Sequence, residues 1–188
     1  MSLLIKNYID GLSICLKELS HQDIADVADI IFKAYKKNKQ IFILGNGGSA
    51  STASHFARDL RMGTVVSGKK RMHTTSLTDN VVMITSLAND IDYKSIFKEQ
   101  LVDQLNEGDV VIGISASGNS PNVLSAIEYA RENGAITIAL TGFGGGKLKE
   151  LADKAIIVSS HDYGQVEDVH LSLDHIITCA VKDRITNE

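Results

Sequence analysis

The layout that most limits what this chain can fold into occurs twice: an apolar β-rich run, a glycine-rich turn, then a small-residue helix. Residues 41–55 read IFILGNGGSASTASH, and residues 110–124 read VVIGISASGNSPNVL. A strand ending in Gly45-Asn46-Gly47-Gly48 lets the backbone take positive φ and approach a ligand. Ser49 then opens a helix whose first N–H groups lack partners and whose dipole favours an anion. In the second turn Ser115, Ser117 and Ser120 place three hydroxyls around Gly118 and Asn119. Ser120 is the expected N-cap and Pro121 the first helical residue. A nest of this kind suits a phosphate monoester, and two of them point to a phosphorylated ligand.

The periodicity around these turns alternates. Leu4, Ile5, Tyr8, Ile9, Leu12, Leu16 and Leu19 recur at helical spacing over 3–19, and Ile24, Val27, Ile31, Ala34 and Tyr35 over 22–36, with Ser20 and Asp23 as a capping pair. Strands are then predicted at 40–44, 73–77, 109–114, 136–141 and 154–159. Helices are predicted at 49–62, 79–87, 91–104, 121–133, 146–152 and 165–184. Runs such as VVIGI, ITIAL and AIIV are continuously apolar, as strands covered on both faces require. The order predicts a three-layer α/β/α sandwich on a five-stranded parallel sheet, preceded by two helices. Ligands of such sheets bind beyond the carboxyl ends of the strands, where both glycine-rich turns fall. One proline and no low-complexity segment predict a single domain over 1–188, with 1–37 as a helical extension packed on it or on another subunit.

Composition narrows the function classes. A net charge of -4 without a basic, aromatic-studded stripe argues against nucleic-acid binding. Lys69-Lys70-Arg71 reads as a solvated turn that could also draw in an anionic substrate. No apolar run approaches the ~20 residues of a membrane span. Cys15 and Cys179 fit no metal or redox spacing and read as reduced core or interface residues, which with the N-terminal pattern predicts a cytoplasmic protein.

Two constellations could carry chemistry. His55 and Asp59 are four residues apart on the helix leaving the first turn, a spacing that lets them chelate a metal, act as acid and base, or form a solvated ion pair. QVEDVHLSLDH at 165–175 concentrates Glu167, Asp168, His170, Asp174 and His175 on a helix that also carries Val166, Val169, Leu173 and Ile177. Acids at a helix start account for Glu167 and Asp168 but not for His175. On a straight helix Glu167 and His175 stand about 12 Å apart along the axis, so they share one ion only if Glu167 precedes the regular helix or different subunits contribute. His21, His73, His161 and His170 read as surface or supporting residues.

GNGGSASTASHFARDL and GISASGNSPNVLSAIEYA resemble the sugar isomerase (SIS) family, whose fold is flavodoxin-like, and specifically its phosphoheptose isomerase branch, from about residue 38 to the end. The resemblance implies an aldose–ketose isomerase that interconverts sedoheptulose 7-phosphate and D-glycero-D-manno-heptose 7-phosphate through an enediol, in a homotetramer. It implies that Asn46, Gly47 and Gly48 line the substrate, that Asn89 and Asp90 contact its hydroxyls, and that Ser115, Ala116, Ser117 and Ser120 form the phosphate turn. Metal-binding members supply a histidine matching His55, a glutamate matching Asp59, a glutamine matching Glu167 and a histidine matching His175. The resemblance therefore implies a Zn²⁺ held by His55, Asp59, Glu167 and His175, with Asp59 and His175 catalytic and Glu167 also near substrate. Asp59, Glu167, Ala116 and Gln165 depart from the family pattern, all around the pocket. The alternative within the family is a non-catalytic sugar-phosphate-binding module or a homotetrameric adaptor like the one that binds the replication initiator DnaA. That adaptor lacks an acid at the position of Asp59.

Overall fold

The computed structural model describes residues 2–188. Two helices, α1 (Ser2–Glu18) and α2 (His21–Lys36), precede β1 (Gln40–Gly45) and α3 (Gly48–Met62). Next come β2 (His73–Ser76), α4 (Val81–Asp90), a 3₁₀ turn (Tyr93–Ser95) and α5 (Lys98–Leu101). The chain continues through β3 (Val110–Ser115), α6 (Pro121–Glu132), β4 (Ile136–Thr141), α7 (Leu148–Leu151), β5 (Lys154–Ile157) and α8 (Tyr163–Thr186). All strand pairs are parallel, in the order β2-β1-β3-β4-β5.

The alternation along each strand explains the three layers. Ile41, Ile43, Ile112, Ile114, Ile138 and Leu140 point to one face and pack with Val27 and Ile31 of α2, Phe56 and Leu60 of α3, and Val169, Leu173 and Ile177 of α8. Phe42, Leu44, Val111 and Ala139 point to the other and meet Phe97, Leu101, Val123, Ile127 and Leu148. Both faces of the central strands β1, β3 and β4 are covered, so these read as nearly unbroken apolar runs.

Polar ties fix the leading helices onto the α8 side. The Ser20 hydroxyl accepts the Asp23 N–H at 3.2 Å and caps α2. Lys154 of β5 reaches Asp23 at 2.7 Å and Asp26 at 2.6 Å, and Arg184 of α8 reaches Asp29 at 2.9 Å. Tyr8 of α1 donates its hydroxyl to Asp168 at 2.7 Å, and that bond pushes the phenol up to about 12. Leu3, Leu4, Ile5, Ile9 and Ile14 of α1 stay exposed. Among the described residues no helix is long and apolar enough to cross a membrane.

The predicted helix over 91–104 is the main departure. Asp92 is extended (φ -167°) and its carboxylate accepts the Ser95 N–H at 2.7 Å, so a cap starts a 3₁₀ turn there. The following α5 is a single turn, stopped by Val102 at ψ 132° and Asp103 at φ 66°. The helix predicted at 146–152 shortens likewise to Leu148–Leu151.

Candidate functional site

The order of the strands places a switch point between β1 and β3: the chain leaves β1 toward β2 on one side, and β3 leads to β4 and β5 on the other. Crevices at such points take ligands in open α/β sheets. Gly45 of β1 pairs with Ile114 of β3, so the two glycine-rich turns emerge side by side.

At the first turn Gly47 is the N-cap of α3 with φ 56°, a conformation favoured by glycine, and no side chain caps the helix. The N–H groups of Gly48 and Ser49 therefore open the helix without an intrahelical acceptor. At the second turn Ser120 does take the N-cap position with Pro121 behind it, but its hydroxyl does not cap α6. It lies 3.1 Å from the Ser115 hydroxyl. Asn46, Ser49, Ser115, Ala116, Ser117, Ser120, Tyr163 and Glu167 line the resulting cradle.

The rim is braced by contacts of Asn46 with two residues that the sequence did not single out, Asn122 and Tyr93. Asn46 and Asn122 exchange side-chain hydrogen bonds at 2.9 and 2.8 Å, and the Tyr93 hydroxyl donates to Asn46 at 3.0 Å. Asn122 is buried at the start of α6, where its carbonyl also accepts the Val123 N–H. The pair thus locks the first turn to the second. Asn89 and Asp90 sit exposed on the last turn of α4, bonded to each other at 2.8 Å, and do not line the cradle.

A second cluster lies farther along α3 and along α8, the helix that brings Tyr163 and Glu167 to the cradle. Asp59 of α3 is buried, and its Oδ2 lies 3.4 Å from His55 Nε2 and 3.8 Å from His175 Nε2 of α8. The two imidazoles meet edge-on at 5.1 Å between centroids. Arg58 donates to Asp59 Oδ1 at 2.6 Å, leaving Oδ2 for the histidines. Asp174, fully buried, completes a group with His55, Asp59 and His175 in which one ligand atom from each lies within 4.8 Å of the others. Burial, then the charge of Asp59, pushes the Asp174 carboxyl up to about 6.

Glu167 does not join this group. Its position inside the regular helix α8 removes one condition on which it could share an ion with His175, that it precede the helix. Seven residues before Asp174, it stands about 10 Å nearer the cradle. Its carboxylate lies flat over Gly48, in the space that a Cβ there would fill. Within one protomer His55, Asp59 and His175 come together with Asp174, and Glu167 lines the cradle; for Glu167 to share an ion with these histidines a second subunit would have to supply it.

The donors fit a divalent cation. Two imidazole nitrogens and two carboxylates are a ligand set suited to Zn²⁺. Asp174 Oδ1 accepts from Thr178 at 3.3 Å, while Oδ2, buried, has no hydrogen-bond partner among the described residues. An orphaned carboxylate oxygen of this kind is what a cation would satisfy.

Two measurable consequences arise here. A carboxylate in an anion cradle repels the anion, so Glu167→Gln is expected to tighten binding of inorganic phosphate about tenfold, or ~1.4 kcal/mol, in a calorimetric titration. His170, expected near the surface or in support, is fully buried on α8, with no well-formed hydrogen bond at either ring nitrogen. Burial drives it from 6.5 down to about 4, against the opposing effect of the Thr141 backbone. The unfolded chain therefore binds this proton first, and stability is lost as pH falls from 6.5 through 4. Asp174 works in the opposite sense, losing stability as pH rises from 3.8 through about 6. The difference between wild type and His170→Phe isolates the histidine: about 3 kcal/mol of acid sensitivity, read from urea unfolding at pH 7 and pH 4, should vanish in the variant.

The fold and the site together define an α/β protein of the SIS class. The description of the SIS domain matches residues 7–142, and the chain belongs to this family, in its phosphoheptose isomerase branch. The phosphoheptose isomerase of Aquifex aeolicus is 37% identical over 168 residues, covering 89% of this chain and 87% of that protein. That of Akkermansia muciniphila is 36% identical over 186 residues, covering 98% and 97%. A solved phosphoheptose isomerase from Neisseria gonorrhoeae superposes with a TM-score of 0.88 at 26% identity, covering 97% of this chain and 96% of that one.

Proposed function

We propose that the chain is an aldose–ketose isomerase that interconverts sedoheptulose 7-phosphate and D-glycero-D-manno-heptose 7-phosphate. The observation that carries this reading is the placement of an anion cradle and a carboxylate–imidazole cluster on the same pair of helices. From Ser49 to His55 the axis of α3 rises ~9 Å, and the side chain of Asp59 leans back toward the cradle by about a turn. An extended seven-carbon chain with a terminal phosphate spans about 10 Å at ~1.5 Å per carbon–carbon bond. The phosphate then sits at one end and carbons 1 and 2 at the other.

In this mechanism the hydroxyls of Ser115, Ser117 and Ser120 and the first N–H groups of α3 hold the phosphate, with Ala116 contributing only backbone. Asn46, Gly47 and Gly48 line the chain of the sugar, and Asn89 and Asp90 meet its hydroxyls. Asp59 takes the proton from C1 of the ketose and returns it to C2. His175 moves the hydroxyl proton between O1 and O2, so that an enediol forms and collapses to the aldose. His55 and Arg58 fix the orientation of the Asp59 carboxylate. Zn²⁺ bound at His55, Asp59 and His175 would supply a Lewis acid that polarises the carbonyl oxygen.

The whole chain works as a single SIS domain, 1–188, in a cytoplasmic homotetramer. The exposed apolar row of α1 supports burial against another copy. The test is turnover: sedoheptulose 7-phosphate incubated with the protein is expected to yield the aldose, while unphosphorylated sedoheptulose is left essentially unchanged. No turnover of any heptose phosphate, with binding retained, would establish a binding module instead.

A further inference from the structure

We propose that Asp174, in place of Glu167, is the second carboxylate ligand of the cation site, so that one protomer closes a set of two histidines and two carboxylates. The proposal rests on the metal reading given above and changes which residue completes it. Asp174 has no solvent exposure, and among the described residues no lysine or arginine pairs with it. One of its oxygens is held by Thr178 and the other is free of hydrogen bonds. A buried carboxylate left in that state beside a second one, Asp59, is costly unless a cation joins them.

The geometry is close to what a cation needs. The four ligand atoms lie within 4.8 Å of one another, whereas ligands at ~2.0–2.2 Å from a shared Zn²⁺ are at most about 4 Å apart. Closing the set takes side-chain adjustments of less than about 1 Å at the two exposed imidazoles. Glu167 has no such route within the protomer. It shares a helical stripe with Asp174, since seven residues bring the side chain back to within about 20° of the same direction, but about 10 Å earlier along α8. Its carboxylate is spent against Gly48 in the cradle.

Zinc titration of the full-length protein separates the two assignments, with Co²⁺ absorption as a report on coordination. Asp174→Asn is nearly isosteric and removes a buried charge, so the metal-free variant should melt no lower than wild type. Its Zn²⁺ affinity should fall at least tenfold, and the Co²⁺ spectrum should change. Glu167→Gln should keep Zn²⁺ affinity within twofold and leave the Co²⁺ spectrum unaltered. Wild-type affinity in Asp174→Asn, or an equal loss in Glu167→Gln, would overturn the assignment. Failure of the wild-type protein to bind Zn²⁺ or Co²⁺ would remove the cation site altogether, while turnover of sedoheptulose 7-phosphate, measured separately, reports on the isomerase reading alone.

Discussion

Asp59→Asn should lower kcat by about 10²–10⁴-fold while leaving phosphate binding within a factor of two. The amide keeps the shape of the side chain and its contact with Arg58, but it lacks the basicity to take a proton from carbon. The cradle lies about three turns away along α3, past Ser49, and none of its lining residues hydrogen-bonds to Asp59. The loss therefore falls on kcat and not on affinity. Turnover assays paired with calorimetric titration of inorganic phosphate separate the two. Unchanged turnover would remove Asp59 from the mechanism, and joint loss of phosphate binding would mean that the substitution disturbs α3 as a whole.

Phe56→Ala should destabilise the fold by about 3–5 kcal/mol. The ring has no solvent exposure and packs among Ile41, Ile43 and the α8 side chains Leu173 and Ile177 in the core on that face of the sheet. Deleting it leaves a cavity between two helices and the sheet, and the loss is a large part of the 5–15 kcal/mol typical of a domain. A melting temperature lower by about 10 °C is expected for a chain of this size. Because Phe56 lies next to His55 and one turn before Asp59, turnover should drop too, even well below the melting temperature. A shift of under 2 °C would mean that α3 is not held on the sheet as described.

The fold was legible because its signals are local and repeat. Strand runs such as VVIGI, the spacing Ile24-Val27-Ile31 and the Ser20 cap each belong to a single element, and the five strands and the long helices follow from them. The segment 91–104 was misread because Asp92 looks like one more polar residue on a helix face. Only its extended backbone makes it a cap. In the site, the two glycine-rich turns were legible for the same local reason. The brace between Asn46 and Asn122 was not, because it joins positions on separate turns and each asparagine alone has no periodicity to betray it.

Asp174 falls between these cases. The residues Glu167, His170, Asp174 and Thr178 recur at i, i+3, i+7 and i+11, which draws a polar line down one side of a helix otherwise rich in buried aliphatics. That line was available in the sequence. What hid it is its neighbour: Asp174 stands beside His175, about 100° around the helix, and only the packing of α3 against α8 brings both toward Asp59. The burial of His170 follows from the same line, since the stripe faces inward between the two helices. That Glu167 lines the cradle of its own protomer while Asp174 lies beside the histidines was not legible either, because a correspondence of sequence positions does not say toward which end of α8 a side chain works.

The measurement closest to the central claim is solvent exchange in D₂O, followed by NMR of sedoheptulose 7-phosphate incubated with the wild-type protein. The cradle and the Asp59 cluster acting on one substrate predict deuterium at C1 of the recovered ketose and at C2 of the aldose, and no such label with Asp59→Asn. A sugar phosphate that binds yet returns without deuterium at either carbon, with no aldose formed, would contradict the account.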